Sequence, residues 1–426
     1  MMIHFKKIAD IFTERRIMIT LLLGFTSGLP LALSGSALAA WFTTNGVSLQ
    51  AIGFVGLASL PYTFKFLWAP VMDRWVPPFL GRRRGWMLIC QLLLCVVMAG
   101  MALLTPESNA EFLFLLACTL AFLSASQDIA VDAYRTDMLK PEERPVGAAM
   151  FVNGYRIAML VSGGLILIIA HQVGWRIAYL AMSALMIIGI IATFLGPKPE
   201  VEVIPPRNLR ECTVTPLVEF LSRRQGVAVL IFIVLYKLGD AFAGSMTQAF
   251  LIRGVGFTLL EIGTLIKLMG FIGTVLGTTV GGLWTIRLGY FHALFLFGIL
   301  QTIANLCYVL LIWSGHNLWV AGFSIFMDNM FGGMGTAVFF GLLMGLCNPR
   351  FTAFQYALLS SLCVVGRVFI GPMAGMIAEY YGWQTFFISS VLFSMPGLVL
   401  LWWLRGGLEK MRHEQTQIRE GLVTAS

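Results

Sequence analysis

Two aspartates four residues apart, Asp128 and Asp132, sit in the stretch LSASQDIAVDAYRTDML at 123–139, directly after the apolar run 112–122. On a helix the i, i+4 spacing puts both on one face. Two neighbouring carboxylates in a low-dielectric setting cannot both stay ionised cheaply, so the pair can take up and release a proton. All five histidines (His4, His171, His292, His316 and His413) fall in loops, termini or the ends of apolar runs, which leaves the acids as candidate proton carriers. Bond-making chemistry has no support. The chain contains no H-x-x-x-H, no G-x-S-x-G, no Cys/His cluster and no G-x-x-x-x-G-K-[ST] loop. It therefore reads as neither an enzyme nor an ATP-driven pump, with no metal and no cofactor.

Further charges interrupt apolar runs at Lys65, Arg156, Lys237, Asp240, Lys267, Asp328 and Arg367, with amides beside two of the acids at Gln127 and Asn329. Ionisable residues at bilayer depth cost several kcal/mol and are functional candidates by default. For any single one of them the competing reading is mutual pairing that holds helices together. Lys237 and Asp240, at i and i+3, can pair with no substrate present. Asp128 and Asp132 are the proton-coupling candidates. The expected cycle has Asp128, with Asp132, taking a proton while Arg156 or Lys65 alternates between that carboxylate and the substrate.

What must position these residues is a membrane scaffold. The 426 residues are 58% hydrophobic and only 12% charged, with a mean hydropathy of +0.83, whereas soluble domains carry about 25% charged residues. Cutting the apolar runs at polar and turn clusters predicts about twelve spans, near 17–42, 49–73, 86–104, 111–138, 146–170, 176–195, 226–252, 259–284, 293–313, 318–346, 355–379 and 384–404. The first run follows Lys6, Lys7, Arg15 and Arg16, and Ala37-Leu38-Ala39 mimics a signal-peptidase site, but the run is too long for a cleaved signal. Arg15, Arg16, Arg74, Arg82, Arg83, Arg84, Arg135, Lys140, Arg144 and the linker and C-terminal basic residues fall on one side, against Arg176 and Arg253 on the other. The positive-inside rule makes the first side, with both termini, cytoplasmic. The net charge of +8 is then topology, and no nucleic-acid partner is expected. Seven cysteines lie in apolar runs or, for Cys212, in a polar linker, and read as free packing thiols.

Hydropathy breaks between spans 6 and 7 at Pro197, Pro199, Pro205 and Pro206, followed by a possible short interfacial helix over 217–224. The expected organisation is a six-helix half at 1–196, a cytoplasmic linker at 197–225, a second half at 226–405 and a tail at 406–426. Gly46-Val-Ser-Leu-Gln-Ala-Ile-Gly53 recurs as Gly256-Phe-Thr-Leu-Leu-Glu-Ile-Gly263, and Gly174-Trp175 as Gly382-Trp383. Ser48 and Thr258 stand where helix N-caps are expected, and Thr258-x-x-Glu261 is a capping box. Parallel six-plus-six repeats are the major facilitator architecture, with the substrate site between the halves. Spans 3, 6, 9 and 12 should then be peripheral, and none of the charges named above falls in their interiors. Arg156 and Arg367 precede Gly174 and Gly382 by 18 and 15 residues, so each half offers a guanidinium on its fifth helix. After span 2, Asp73 and Arg74 are followed by Arg82, Arg83 and Arg84, a candidate gating latch with Asp137 as a further partner. Gly332-Gly-Met-Gly335 suits close packing or a gating bend.

The blocks SASQDIAVDAYRTD (124–137), LPYTFKFLWAPVMDR (60–74), FLGRRRGW (79–86), YKLGDAF (236–242), FLIRGVGF (250–257), GGMGTA (332–337), LLMGLCN (342–348), FTAFQYALLS (351–360) and VGRVFIGPMAG (365–375) resemble AmpG-type muropeptide permeases of the major facilitator superfamily. That resemblance implies proton-driven import of N-acetylglucosaminyl-1,6-anhydro-N-acetylmuramyl peptides across the inner membrane of Gram-negative bacteria, feeding peptidoglycan recycling and β-lactamase induction. The implied partners are the anhydro-muropeptide, protons and the lipid bilayer, with the chain a monomer. An anionic sugar-peptide suits a cavity with one surplus cation. The alternative is a transporter of the same fold that moves another anionic solute, such as a peptide, an acyl-CoA or a drug-like compound.

Overall fold

The computed structural model describes residues 14–47, 55–199, 208–258 and 261–425. Twelve spans account for these residues and the linker between the sixth and seventh. Span 1 is Arg15–Thr44, broken after Leu33. Span 2 is a series of short turns, Gly56–Ser59, Leu60–Phe64, Lys65–Leu67 and Ala69–Arg74, in which α and 3₁₀ winding alternate. Spans 3 to 7 are Gly81–Ala102, Pro106–Met138, Arg144–Val173, Trp175–Leu195 and Gly226–Gly254. Spans 8 and 9 occupy 262–288 and 290–314, span 10 is Leu318–Leu346, and spans 11 and 12 occupy 352–381 and 383–425.

The hairpins that join spans 5–6, 8–9 and 11–12 turn on Gly174 (φ 90°, ψ 159°), Gly289 (φ 74°, ψ 164°) and Gly382 (φ 77°, ψ 169°). Only glycine enters that region without strain. The repeated Gly-Trp pair therefore reflects one repeated turn, and the tryptophans after it pack alike. Trp175 stacks on Trp41 at the end of span 1, with ring centroids 5.6 Å apart, and Trp383 lies 5.4 Å from Phe250 at the end of span 7. Thr258 and Glu261 form the expected capping box, in which the Thr258 N–H donates to Glu261 Oε2 at 2.8 Å and the Glu261 N–H to Thr258 Oγ1 at 3.3 Å. Ser48 and the rest of 48–54 lie outside the described residues.

The linker helix is longer than its hydropathy indicated. It runs Leu209–Ser222 because Asn208 caps it, its side chain accepting from the Glu211 N–H at 2.9 Å. Glycines let backbones touch. A Cβ at Gly277 would lie 1.9 Å from the Met330 carbonyl oxygen, and one at Gly333 would lie 2.9 Å from that of Thr274, so spans 8 and 10 pack through small residues. Large apolar side chains on spans 3, 6, 9 and 12, among them Val96, Ile191, Ile303 and Val399, point outward, as a bilayer-facing surface requires.

The first and last described segments, at Arg16 and Arg412, lie on one side. Arg16 Nη1 donates to the Met138 carbonyl at the end of span 4, and Arg412 sits over the Tyr290 ring at the turn between spans 8 and 9. On this terminal side one apolar core runs through both sets of six spans, from Ile17, Met87 and Met138 to Phe291, Met344 and Leu404. On the far side there are two separate cores. Leu29, Trp41, Leu113 and Tyr179 belong to one, and Phe242, Phe250, Tyr308 and Phe386 to the other. Spans 1–6 and 7–12 are thus joined at one end and parted at the other.

Candidate functional site

A cavity of about 340 Å³ lies between the two sets of spans. Span 5 contributes Val152 and Arg156; spans 7, 8 and 10 contribute Asp240, Ser245, Thr274, Thr278, Asp328, Asn329 and Thr336. Next to the lining residues Val152 and Thr278, Asn153 ties span 5 to span 8: its Nδ2 donates to Thr279 Oγ1 at 2.9 Å and its Oδ1 accepts from the Thr278 hydroxyl. Asn329 Oδ1 accepts from Thr274 at 3.2 Å.

Asp328 is held by two neutral donors, Gln301 Nε2 at 2.7 Å and the Tyr308 hydroxyl at 2.8 Å. The same Gln301 nitrogen is 3.4 Å from Asp240 Oδ1. Lys237 stands 3.6 Å from Asp240 Oδ2 and donates to Thr336 at 2.9 Å, which realises the i, i+3 pairing legible in the sequence. The expected surplus of positive charge is not found in this wall. Two carboxylates and one guanidinium line the cavity, because Lys237 turns toward Asp240 and Thr336, and Lys267 is exposed away from the lining. The Arg367 side chain lies outside the described residues.

The paired aspartates have different surroundings. Asp132 is buried and takes Lys65 Nζ at 3.1 Å on one oxygen and Arg135 Nη2 at 2.8 Å on the other. Arg135 also donates to the Tyr356 hydroxyl across the two sets of spans, and its guanidinium lies 4.1 Å from the Phe151 ring centroid. Lys65 therefore pairs with Asp132, not with Asp128 as expected, since the turn of span 2 aims it at the more deeply set carboxylate. Asp128 is half-buried, and its Oδ1 is enclosed with no hydrogen-bond partner among the described residues. Ser27 lies beside it. The hydroxyls of Ser27, Tyr62 and Ser124 and both polar atoms of Gln127 are likewise buried without described partners. Such clusters of unsatisfied atoms are rare in folded proteins and mark places that water or a ligand visits.

On the terminal side, Arg83 donates to Asp73 Oδ1 at 2.7 Å, to Asp137 Oδ2 at 3.0 Å and to Thr352 Oγ1 at 2.6 Å. Asp73, fully buried, also accepts from the Phe354 N–H at 3.0 Å. Asp73, Arg83 and Asp137 of the first half are thereby locked to the start of span 11. Arg82 is peripheral to this lock, 3.8 Å from Asp73 Oδ1, and Arg74 is half-buried near Cys212 of the linker helix. Arg84 does something else. It donates to the Thr193 and Phe194 carbonyls at 2.9 and 3.0 Å, satisfying the open end of span 6. It is a helix-end cation and not a latch residue.

Arg135, Tyr356, Gln301 and Tyr308 were not legible as site residues. The positive-inside rule assigns Arg135 to orientation, although its i, i+3 spacing from Asp132 is a usable signal. Gln301 and Tyr308 lie on span 9, a peripheral span whose inward face the sequence does not mark.

The model of the Major Facilitator Superfamily matches residues 20–369. The chain is similar to the anhydromuropeptide permease of Escherichia coli (strain K12), 49% identical over 403 residues, covering 94% of this chain and 82% of the relative. It is also 31% identical to the putative transporter AmpG 4 of Rickettsia conorii, covering 93% and 98% of the two chains. Among solved structures it is similar in fold to the transporter FucP in the outward conformation, with a TM-score of 0.68 at 14% identity, over 92% of this chain and 99% of that one. A bacterial homologue of ferroportin in its outward-facing state gives 0.66 at 15% identity, over 92% and 98%.

Proposed function

The chain belongs to the anhydromuropeptide permease family of the major facilitator superfamily, and from that premise we propose that it imports N-acetylglucosaminyl-1,6-anhydro-N-acetylmuramyl peptides from periplasm to cytoplasm, driven by the proton gradient. It is a polytopic membrane transporter and not an enzyme. In this reading it sits in the bacterial inner membrane as a monomer with both termini cytoplasmic, and its product feeds peptidoglycan recycling and β-lactamase induction. The joined terminal side is then the closed cytoplasmic gate, and the parted side faces the periplasm.

The observation that carries the coupling is the contrast between the two aspartates. Asp132 has its charge matched by Lys65 and Arg135, whereas Asp128 has an enclosed oxygen with no described partner. Lys65 and Arg135 make their direct ion pairs with Asp132, so of the two acids Asp128 is the one placed to exchange a proton without first breaking a salt bridge. Protonation of Asp128 from the periplasm leaves Lys65 wholly to Asp132, and release to the cytoplasm restores a negative charge for which the two cations compete. Arg156, on the cavity wall, is the contact for a substrate carboxylate. Such exchange of partners makes the preferred access state depend on the proton.

The test is uptake of labelled anhydro-disaccharide peptide into inverted and right-side-out vesicles, with and without a pH gradient. Wild type accumulates the label only when the external medium is more acidic than the lumen, so that protons run inward with the substrate. Asp128→Asn should equilibrate label without accumulating it; a variant that still concentrates it against its gradient would refute Asp128 as the carrier.

A further inference from the structure

The geometry points to a cation-recognising wall in the cavity, formed by Asp328 with Asp240, that selects a substrate bearing a protonated amine as well as carboxylates. The inference rests on the substrate reading above, in which the stem peptide is the part able to carry an ammonium.

Three observations lead to it. The charges of the cavity are sorted by wall: Arg156 stands on span 5, and Asp240 and Asp328 stand on spans 7 and 10. A purely anionic solute would meet one guanidinium and two carboxylates, and the like charges would oppose its binding. Second, the two carboxylates are not equally satisfied. Lys237 attends Asp240, but the described partners of Asp328 are an amide and a phenol, both uncharged. Each Asp328 oxygen spends one lone-pair direction on these donors, and a carboxylate offers about four. The remainder is available to a ligand in the cavity. Third, both donors approach Asp328 from span 9, so they fix the orientation of its carboxylate.

The chemistry favours an ammonium over a metal ion. The amide nitrogen of Gln301 reaches toward both Asp328 and Asp240, and a metal bridging the two acids would face its N–H. No group of three or more metal-ligating side chains occurs among the described residues. A substrate amine brings N–H donors of its own and needs only the open lone pairs. The peptide then lies across the cavity, its carboxylate toward Arg156 and its ammonium toward Asp328. Opposed charges of this kind fix orientation as well as affinity.

The experiment compares vesicle uptake of an anhydro-disaccharide peptide carrying a free side-chain amine with the same compound N-acetylated at that amine, and with the peptide-free disaccharide. Wild type should take up the free amine with kcat/KM about tenfold above the acetylated form, the lower end of what a hydrogen bond to a charged group contributes. In Asp328→Asn that ratio should fall to near one, and in Asp328→Glu, which keeps the charge, a preference should persist. Equal uptake of both forms by wild type overturns the inference, as does an undiminished ratio in Asp328→Asn. Should the Asn variant fail to insert, the wild-type ratio alone decides. Uptake of the disaccharide or the acetylated peptide without amine preference sinks only the ammonium wall, whereas no uptake of any of the three sinks the substrate reading and this inference with it.

Discussion

Arg135 and Tyr356, 221 residues apart, are joined by a hydrogen bond from guanidinium Nη2 to phenol oxygen that ties span 4 to span 11. The same guanidinium holds Asp132, so the charge state of the aspartate pair is physically continuous with the contact between the two sets of spans. Tyr356→Phe removes the acceptor and leaves a buried arginine short of a partner. A hydrogen bond to a charged group is worth about 1.5–3 kcal/mol, enough to shift an access equilibrium at least tenfold. Spin labels at positions 80 and 350 should show a new long-distance population in the variant; an unchanged distance distribution would remove Tyr356 from the gate.

The two aspartates should behave oppositely in stability. Asp132→Asn leaves Lys65 and Arg135 buried with no shared carboxylate, and breaking a buried pair typically costs about 3–5 kcal/mol. Asp128→Asn is isosteric and removes an enclosed charge whose Oδ1 has no described partner. Thermal melting in detergent should therefore fall sharply for Asp132→Asn and stay level or rise for Asp128→Asn. Equal destabilisation by both would contradict the division of labour described here.

Close packing of spans 8 and 10 is tested at Gly277. With the Met330 carbonyl oxygen 1.9 Å from where a methyl group would stand, Gly277→Ala forces the helices apart and costs about 1–3 kcal/mol as overpacking. Gly100, with nothing within 4 Å of its Cβ position, is the control, and Gly100→Ala should be neutral or slightly stabilising in its helix. Melting temperatures of the two variants distinguish them.

Cys212 on the linker helix gives a chemical readout. Burial, with the Asp73 carboxylate nearby, pushes its thiol up to about 11. Relative to an ordinary thiol near 8.5, the thiolate at pH 7.5 is scarcer by on the order of a hundredfold or more. In a variant retaining only this cysteine, maleimide labelling should be slow in the folded protein and rise steeply in denaturant. Raising the pH toward 11 should accelerate it. Rapid labelling at pH 7.5 would mean that the linker helix leaves its seat.

Span number, the repeat and the peripheral position of spans 3, 6, 9 and 12 were legible because hydropathy, turn glycines and the cost of lipid-facing charge act locally along the chain. Lys237–Asp240 was legible for the same reason, since both lie on one helical turn. Pairing across helices was not. Whether Lys65 meets Asp128 or Asp132 depends on how span 2 is wound and rotated, and Arg84 parts from Arg83 because adjacent residues on a helix face about 100° apart. The inward polar face of span 9 was hidden because Gln301 and Tyr308 are single polar groups in an apolar run.

The alternating α and 3₁₀ turns of span 2 have a geometric result. In an unbroken α-helix Lys65 and Asp73 would face about 80° apart, at about 100° per residue. Three residues wound at about 120° each, Lys65–Leu67, add roughly 60° to that angle. Lys65 and Asp73 thereby point to different partners because of winding and not because of spacing. Span 2 is in this respect a torsional register: rewinding one short turn would redirect Lys65 relative to Asp73 without tilting any helix.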